Sequence, residues 1–329
     1  NRLGLDLTFY NKSTSNQIVP SQVSALTGFT SRYVNAGTIR NRGIEIRATG
    51  TPLRLDNGLE WEIYGNYSRN DSKVEALYGD LETIVLDSYY GVTVEARKGE
   101  PYGQMYGRLY ARDDQGNIIV GSNGRPLNSS SNPFDLVGNY NPDWIGGIGS
   151  RVTYGALTLN VLIDTQQGGS VFSMTNRYGV RSGVLKMSLK GRELYDEEGR
   201  PLSPEEGGGL IVPGVRLVDG EYVPNDIRVS ARNYWRGLSG IAEAFTYDAS
   251  FVKLREIRVG YQVPRNLTDR MRVARMNLAL VGRNLFLWTD VPNIDPETAF
   301  NPGNAQGYEW GQFPSARSYG LSVSLVPNF

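Results

Sequence analysis

Apolar and polar side chains alternate with period two in eight separate stretches of the chain, the spacing that turns successive residues to opposite faces of a β-strand. Leu3, Leu5, Leu7 and Phe9 share one face of the first stretch, against Gly4, Asp6, Thr8 and Tyr10. Ile44, Ile46 and Ala48 oppose Glu45, Arg47 and Thr49, and Trp61, Ile63 and Tyr67 oppose Glu62, Tyr64, Asn66 and Ser68. The pattern returns at Ile148, Val152 and Tyr154, at Leu157, Leu159, Val161 and Ile163, and at Ile257, Val259, Tyr261 and Val263. It ends with Met276, Leu278 and Leu280, and then Tyr319, Leu321, Val323, Leu325 and Phe329.

Each stretch has room for a strand of roughly 9 to 11 residues, the length that crosses a bilayer at a tilt; strands of soluble domains average about 5 to 6. The connections sort by parity. Segments 12–42, 71–142, 166–250 and 289–318 are long, whereas 53–58, 155–156 and 265–274 are short. A soluble sandwich shows the same alternation but has no reason to sort its loops. An outer-membrane barrel has long extracellular loops at one rim and short periplasmic turns at the other. The pattern therefore predicts an all-β, transmembrane antiparallel β-barrel. It sets Trp61, Tyr154, Tyr261 and Phe329 near the periplasmic interface, and Phe9, Tyr67, Trp144, Phe251 and Tyr319 near the outer one, as two aromatic girdles.

Composition narrows the chemistry. The 34 Lys+Arg balance 34 Asp+Glu, which gives no basic surface for nucleic acid. Neither Cys nor His occurs in the 329 residues, so disulfides, thiolate nucleophiles, Ser-His-Asp triads and His-based metal sites are excluded. The 39 Gly and 20 Tyr favour turns and amphipathic strands. A mean hydropathy of -0.37 fits a barrel, whose lumen-facing residues dilute the apolar ones. The chain starts at Asn1, directly before an alternating segment, so a fragment or processed part is expected.

Several segments carry a family resemblance. Ala249-Ser250-Phe251-Val252-Lys253-Leu254-Arg255-Glu256-Ile257-Arg258-Val259-Gly260-Tyr261-Gln262-Val263-Pro264 resembles the "SFxRLxxxxLGYxxP" strand of the SusC/RagA family, with Lys253 where Arg is usual. Gly282-Arg283-Asn284-Leu285-Phe286 is similar to its "GxNLF" strand end, and Asp295-Pro296-Glu297 to its "DPE" loop. Asn35 to Glu45 is similar to "NxGxxxNxGxE", and Phe313 to Tyr319 to "PxxRxY". The resemblance implies a bacterial outer-membrane, TonB-linked importer of bulky nutrients, glycan or peptide, that works with a SusD-like surface lipoprotein. It implies that residues 1–329 are the C-terminal part of one such barrel domain, with the plug, the N-terminal regions and further strands absent. The other class in view is a non-transporting interaction barrel, an adhesin or scaffold; an upstream plug and TonB-contacting segment would decide between them.

Candidate sites follow from placement. Ser250 and Lys253 fit S-x-x-K, but residues i and i+3 of a strand point to opposite faces, so no catalysis is expected there. Glu197-Glu198 and Glu205-Glu206 read as solvated loop charges, and Asp113-Asp114-Gln115-Gly116-Asn117 as a hairpin turn in preference to a calcium loop. Val218-Asp219-Gly220-Glu221 reads as a second hairpin. No catalytic residue, metal site or cofactor is expected. Substrate contacts are expected from loop aromatics Tyr89, Tyr90, Tyr234, Trp235, Tyr308 and Trp310, with packing of the loops as the competing role. Glu45, Arg47, Glu62, Arg151, Asp164, Glu256, Arg258 and Arg283 are expected to face the lumen, against a plug or a wet channel or in pairs between strands. Tyr319, Leu321, Val323, Leu325 and Phe329 form an apolar C-terminal face similar to the assembly signal of outer-membrane barrels, on a strand expected to pair with the first strand of its barrel.

Overall fold

The computed structural model describes the chain except residues 1, 17, 23–24, 30, 36, 131–133, 300–302, 304–305 and 328–329. The eight alternating stretches are eight strands: β1 (Leu3–Thr14), β2 (Thr38–Arg54), β3 (Leu59–Ala76), β4 (Trp144–Tyr154), β5 (Leu157–Gln167), β6 (Phe251–Gln262), β7 (Val273–Thr289) and β8 (Ser318–Pro327). They form one antiparallel sheet in chain order. Every neighbour in the wall is therefore a hairpin partner, the simplest up-and-down topology.

Register carries the alternation across the whole sheet. Leu5 stands beside Ala48, Ala48 beside Gly65, and Gly65 beside Ile148. Ile148 stands beside Ile163, then Leu159 beside Val259, Val259 beside Leu280, and Leu280 beside Leu321. Leu5, Ile148, Leu159, Val259, Leu280 and Leu321 are all exposed, an arrangement that water penalises and hydrocarbon favours. A one-residue slip in any strand would turn that face inward. The turn between β4 and β5 is Gly155-Ala156, with Gly155 at φ 56°, a left-handed conformation that glycine adopts without cost. Three strands are longer than a membrane crossing requires: β2 and β7 have 17 residues and β3 has 18. Their surplus rises beyond the bilayer into the loops.

The long connections are folded. Segment 71–142 forms a four-stranded sheet (Thr83–Tyr89, Val92–Arg97, Gln104–Gly107, Asp135–Asn139) separate from the membrane sheet. Segment 166–250 supplies α1 (Met174–Ser182) and α2 (Ala231–Gly237), which the alternation did not anticipate. Each starts at a serine whose hydroxyl accepts a backbone N–H, Ser173 from Asn176 and Ser230 from Asn233. The largest buried cluster joins Val92, Val94 and Met105 to Phe172, Phe245, Leu238 and Tyr308, from three different connections. They form a cap with its own core.

One girdle expectation changes. Phe251 is buried on the inward face with Lys253, because a bulge shifts the phase of β6, while Phe286 and Trp288 stack at 5.8 Å on the exposed face of β7. Phe329 lies outside the described residues, and among those described β8 has β7 as its only partner in the sheet.

Candidate functional site

The inward face of the sheet is charged, and its charges pair between strands. Arg151 reaches Glu62 at 3.3 Å, and its Nε donates to Asn160 at 2.8 Å. Arg283 donates to Glu256 at 2.8 Å, and Asp164 is held by Arg255. Of the eight expected lumen charges, Glu45, Arg47 and Arg258 form no ion pair among the described residues, which leaves them for a partner or for water, as it does Asp6 beside Arg47.

Arg255 was not among the expected lumen residues. Counting back from Ile257 and Val259 by twos puts it on the outward face, where a guanidinium in hydrocarbon costs about 2 to 4 kcal/mol. A β-bulge resolves the conflict. The pairing of β5 with β6 skips from Leu162 opposite Glu256 to Ile163 opposite Leu254, which leaves Arg255 as the extra residue. Arg255 and Glu256 consequently both turn inward. The sequence signal for this bulge is Arg255 itself, a charge in an apolar phase.

The bulge joins two motifs that lie far apart in the chain. Lys253, 1% exposed, donates to Asp295 at 2.7 Å and also to Glu297. Arg255 donates to Glu297 at 2.8 Å and to Asp164 at 2.6 Å. Asp295 further accepts from Ser315, and Arg255 also donates to Asn284. Burial raises the cost of ionising Glu297, but hydrogen bonds from Arg255 and Lys253 outweigh it and bring its carboxyl below the ordinary range. The Asp295-Pro296-Glu297 loop is thereby locked to the wall through charges that would each be costly alone. Ser250 takes no part: its hydroxyl donates to Asp248 and accepts from the Gly168 N–H. Ser250 and Lys253 thus have separate partners.

The six loop aromatics separate into two places. Tyr89, Tyr90, Tyr308 and Trp310 meet in one cluster with Tyr178, a residue the sequence pattern did not single out. Tyr234 and Trp235 pair edge to face elsewhere. Two of the six are not surface contacts at all. Tyr308 is fully buried with its hydroxyl on the Val92 carbonyl, and Trp235 is 7% exposed with its indole N–H on the Lys190 carbonyl. Both lie in the cap core, which removes them as direct substrate contacts and leaves Tyr89 and Tyr90 as exposed rings beside Trp310. Next to Tyr308, the fully buried Glu309 accepts from the Ser173 hydroxyl, the Thr175 N–H and hydroxyl, and the Gly311 N–H. It caps α1 and ties segment 289–318 to segment 166–250.

The acidic loop segments are occupied by their own turns. Asp113 accepts from the backbone of Gln115 and Asn117 and from the Asn117 amide, whose bond holds its carboxyl below the ordinary range. Glu198 pairs with Arg200, and Glu206 closes a capping box with Ser203. Val218 and Glu221 pair across the Asp219-Gly220 turn, as the sequence predicts. Among the described residues no group of acidic side chains is arranged to hold a metal ion.

No family model matches the chain. Three relatives from Formosa agariphila do: TonB-dependent receptor P3 is 22% identical over 99% of this chain and 32% of its own length. TonB-dependent receptor P26 is 25% identical over 99% and 33%, and TonB-dependent receptor P39 is 23% identical over 100% and 34%. The chain thus spans about a third of the curated relatives it matches. Among solved structures, that of the RagAB peptide transporter superposes with a TM-score of 0.68 over 99% of this chain and 33% of the matched chain, at 18% identity. The RagAB peptide importer in its "open-open" state gives 0.66 over the same shares. The fold is that of part of an antiparallel transmembrane β-barrel like that of the RagAB structures. The resemblance to the SusC/RagA family holds along the length of the chain, and its place is the bacterial outer membrane.

Proposed function

We propose that the chain contributes wall and extracellular cap to a larger barrel that imports a bulky nutrient, a glycan or peptide, with energy delivered through TonB. One observation carries the reading: across all eight strands the apolar face points outward while the inward face holds paired and unpaired charge. A wet, charged lumen under a folded cap suits a gated pathway. The relatives are named TonB-dependent receptors and the structural neighbour is a peptide transporter, both of which support the reading.

The wall needs more strands. β1 and β8 are the edges of the sheet among the described residues, and unpaired backbone groups in hydrocarbon cost several kcal/mol each. On this reading the 329 residues are the C-terminal part of the barrel domain, Phe329 belongs to its assembly signal, and a plug fills the lumen against Glu45, Arg47 and Arg258. A SusD-like lipoprotein sits over the cap. The test is uptake by whole cells carrying the full-length protein, with and without a functional TonB. Accumulation of labelled oligosaccharide or peptide that requires both supports import; cell-surface binding with no TonB-dependent accumulation identifies an adhesin or scaffold and overturns it.

A further inference from the structure

The aromatic cluster of the cap surrounds an unbalanced charge. Arg177, on α1, is only 8% exposed, and among the described residues no carboxylate pairs with it. Its Nε and Nη2 both donate to one acceptor, the Ser239 carbonyl, at 3.1 and 2.8 Å. Nη1 is buried with no hydrogen-bond partner, the sole such side-chain atom among the described residues. Burial lowers the pKa of the guanidinium, yet an arginine stays protonated. A buried cation without a counter-charge is costly, and an anion at Nη1 would remove that cost.

Its surroundings fit that use. The guanidinium lies 5.0 Å from the ring centre of Tyr90 and 5.7 Å from that of Tyr178. These rings are 50% and 40% exposed, so they stand between Arg177 and solvent. Tyr90 sits at the tip of the Thr83–Tyr89 and Val92–Arg97 hairpin, where the two-residue Tyr90-Gly91 turn holds both residues at positive φ, 46° and 84°. Tyr89 and Trp310 continue the aromatic wall. The rings meet edge to face, at 68° between Tyr89 and Tyr90 and 84° between Tyr90 and Tyr178. Such angles leave clefts between rings and no shared flat platform for a pyranose face.

We propose that Arg177, screened by Tyr90 and Tyr178, is a carboxylate-binding subsite of the cap, and that the carboxylate it takes is carried on a peptide. The inference rests on the importer reading and names the chemistry of its ligand. Nη1 supplies an unpaired donor that a carboxylate reaches when the two rings part, and the rings then supply apolar contact to the flanking side chains.

The experiment uses the full-length protein in detergent and three probes: a short acidic peptide with a free C-terminal carboxylate, the same peptide fully amidated at its carboxyl groups, and a galacturonate trisaccharide. In the wild type the free acid should bind at least about 10-fold more tightly than the amide, and R177M should erase that difference while R177K keeps part of it. Protease protection of the cap, compared across the variants, separates lost binding from a loosened cap. Equal affinity for acid and amide in the wild type, an acid preference that survives R177M, or binding of the trisaccharide alone would each overturn the proposal. So would failure of every probe to bind. TonB-dependent uptake that persists alongside any of these results leaves the importer reading standing and removes only the subsite; loss of uptake altogether removes the reading beneath it.

Discussion

The membrane wall and the cap use apolar residues in opposite ways. In the wall, Leu5, Leu7, Phe9, Leu159, Leu280 and Leu321 are exposed, and of the buried hydrophobic residues only Val74, Phe251 and Ala279 lie on its strands. In the cap, Val92, Val94, Met105, Phe172, Phe245 and Tyr308 enclose a dry core of the kind a soluble domain has. The wall is held by backbone pairing between neighbours and by its solvent; the cap is held by packing between segments distant in sequence. One chain thus obeys two sets of rules, divided where the long connections leave the strands.

The largest break in that comparison should come where the two regions join. Lys253→Met leaves Asp295 buried without its cation, a loss of about 3 to 5 kcal/mol in a pair of this kind. Segment 289–318 should become sensitive to protease on intact outer membranes while the wall stays folded, and a second change, Asp295→Leu, should restore much of the protection. Within the wall, Leu159→Arg or Val161→Arg should cost about 2 to 4 kcal/mol and lower the heat-modifiable gel form of the full-length protein, with Asn160→Arg better tolerated. Equal assembly of all three variants would remove the assigned register.

Inside the cap, Glu309→Gln replaces an acceptor of four hydrogen bonds with a group that also donates, at a cost of about 1 to 3 kcal/mol. Faster hydrogen exchange at the Thr175 amide, with wall amides unchanged, is the expected readout. The smallest effect is that of pH. Glu297 ionises more readily in the fold than in an unfolded chain, so its contribution is complete above the ordinary carboxylate pKa of about 4.3 and is lost as pH falls through its lower folded value. Its side chain is 42% exposed, so solvent screens much of the gain. Protease protection of segment 289–318 should decline gradually in that acid range, and protection that instead rises on acidification would show the wrong sign for this carboxyl.

The wall was legible in the sequence because a bilayer imposes one rule on every residue of a strand. Alternation at Leu157, Leu159, Val161 and Ile163 suffices to place β5. The cap offered no such regularity. Its strands are short, as at Gln104–Gly107, and its core is assembled from residues of three connections, so an aromatic such as Trp235 or Tyr308 reads alike whether it is exposed or enclosed. The bulge at Arg255 lies between these cases: the phase conflict was written in the sequence, but its resolution needed the partner strand. Arg177 left no signal, since its meaning depends on which charges are missing around it in space.

The hydrogen bond from the Tyr308 hydroxyl to the Val92 carbonyl spans 216 positions of the chain. Contacts of that separation bear a high loop-closure entropy until the intervening segment is itself ordered, whereas a hairpin such as β4 and β5 closes across two residues. Assembly should therefore run in time from the membrane outward. The hairpins zip first, their strands bring the roots of the long loops together, and the cap condenses last, so a barrel inserted with an unfinished cap is the natural intermediate on the way to the native protein.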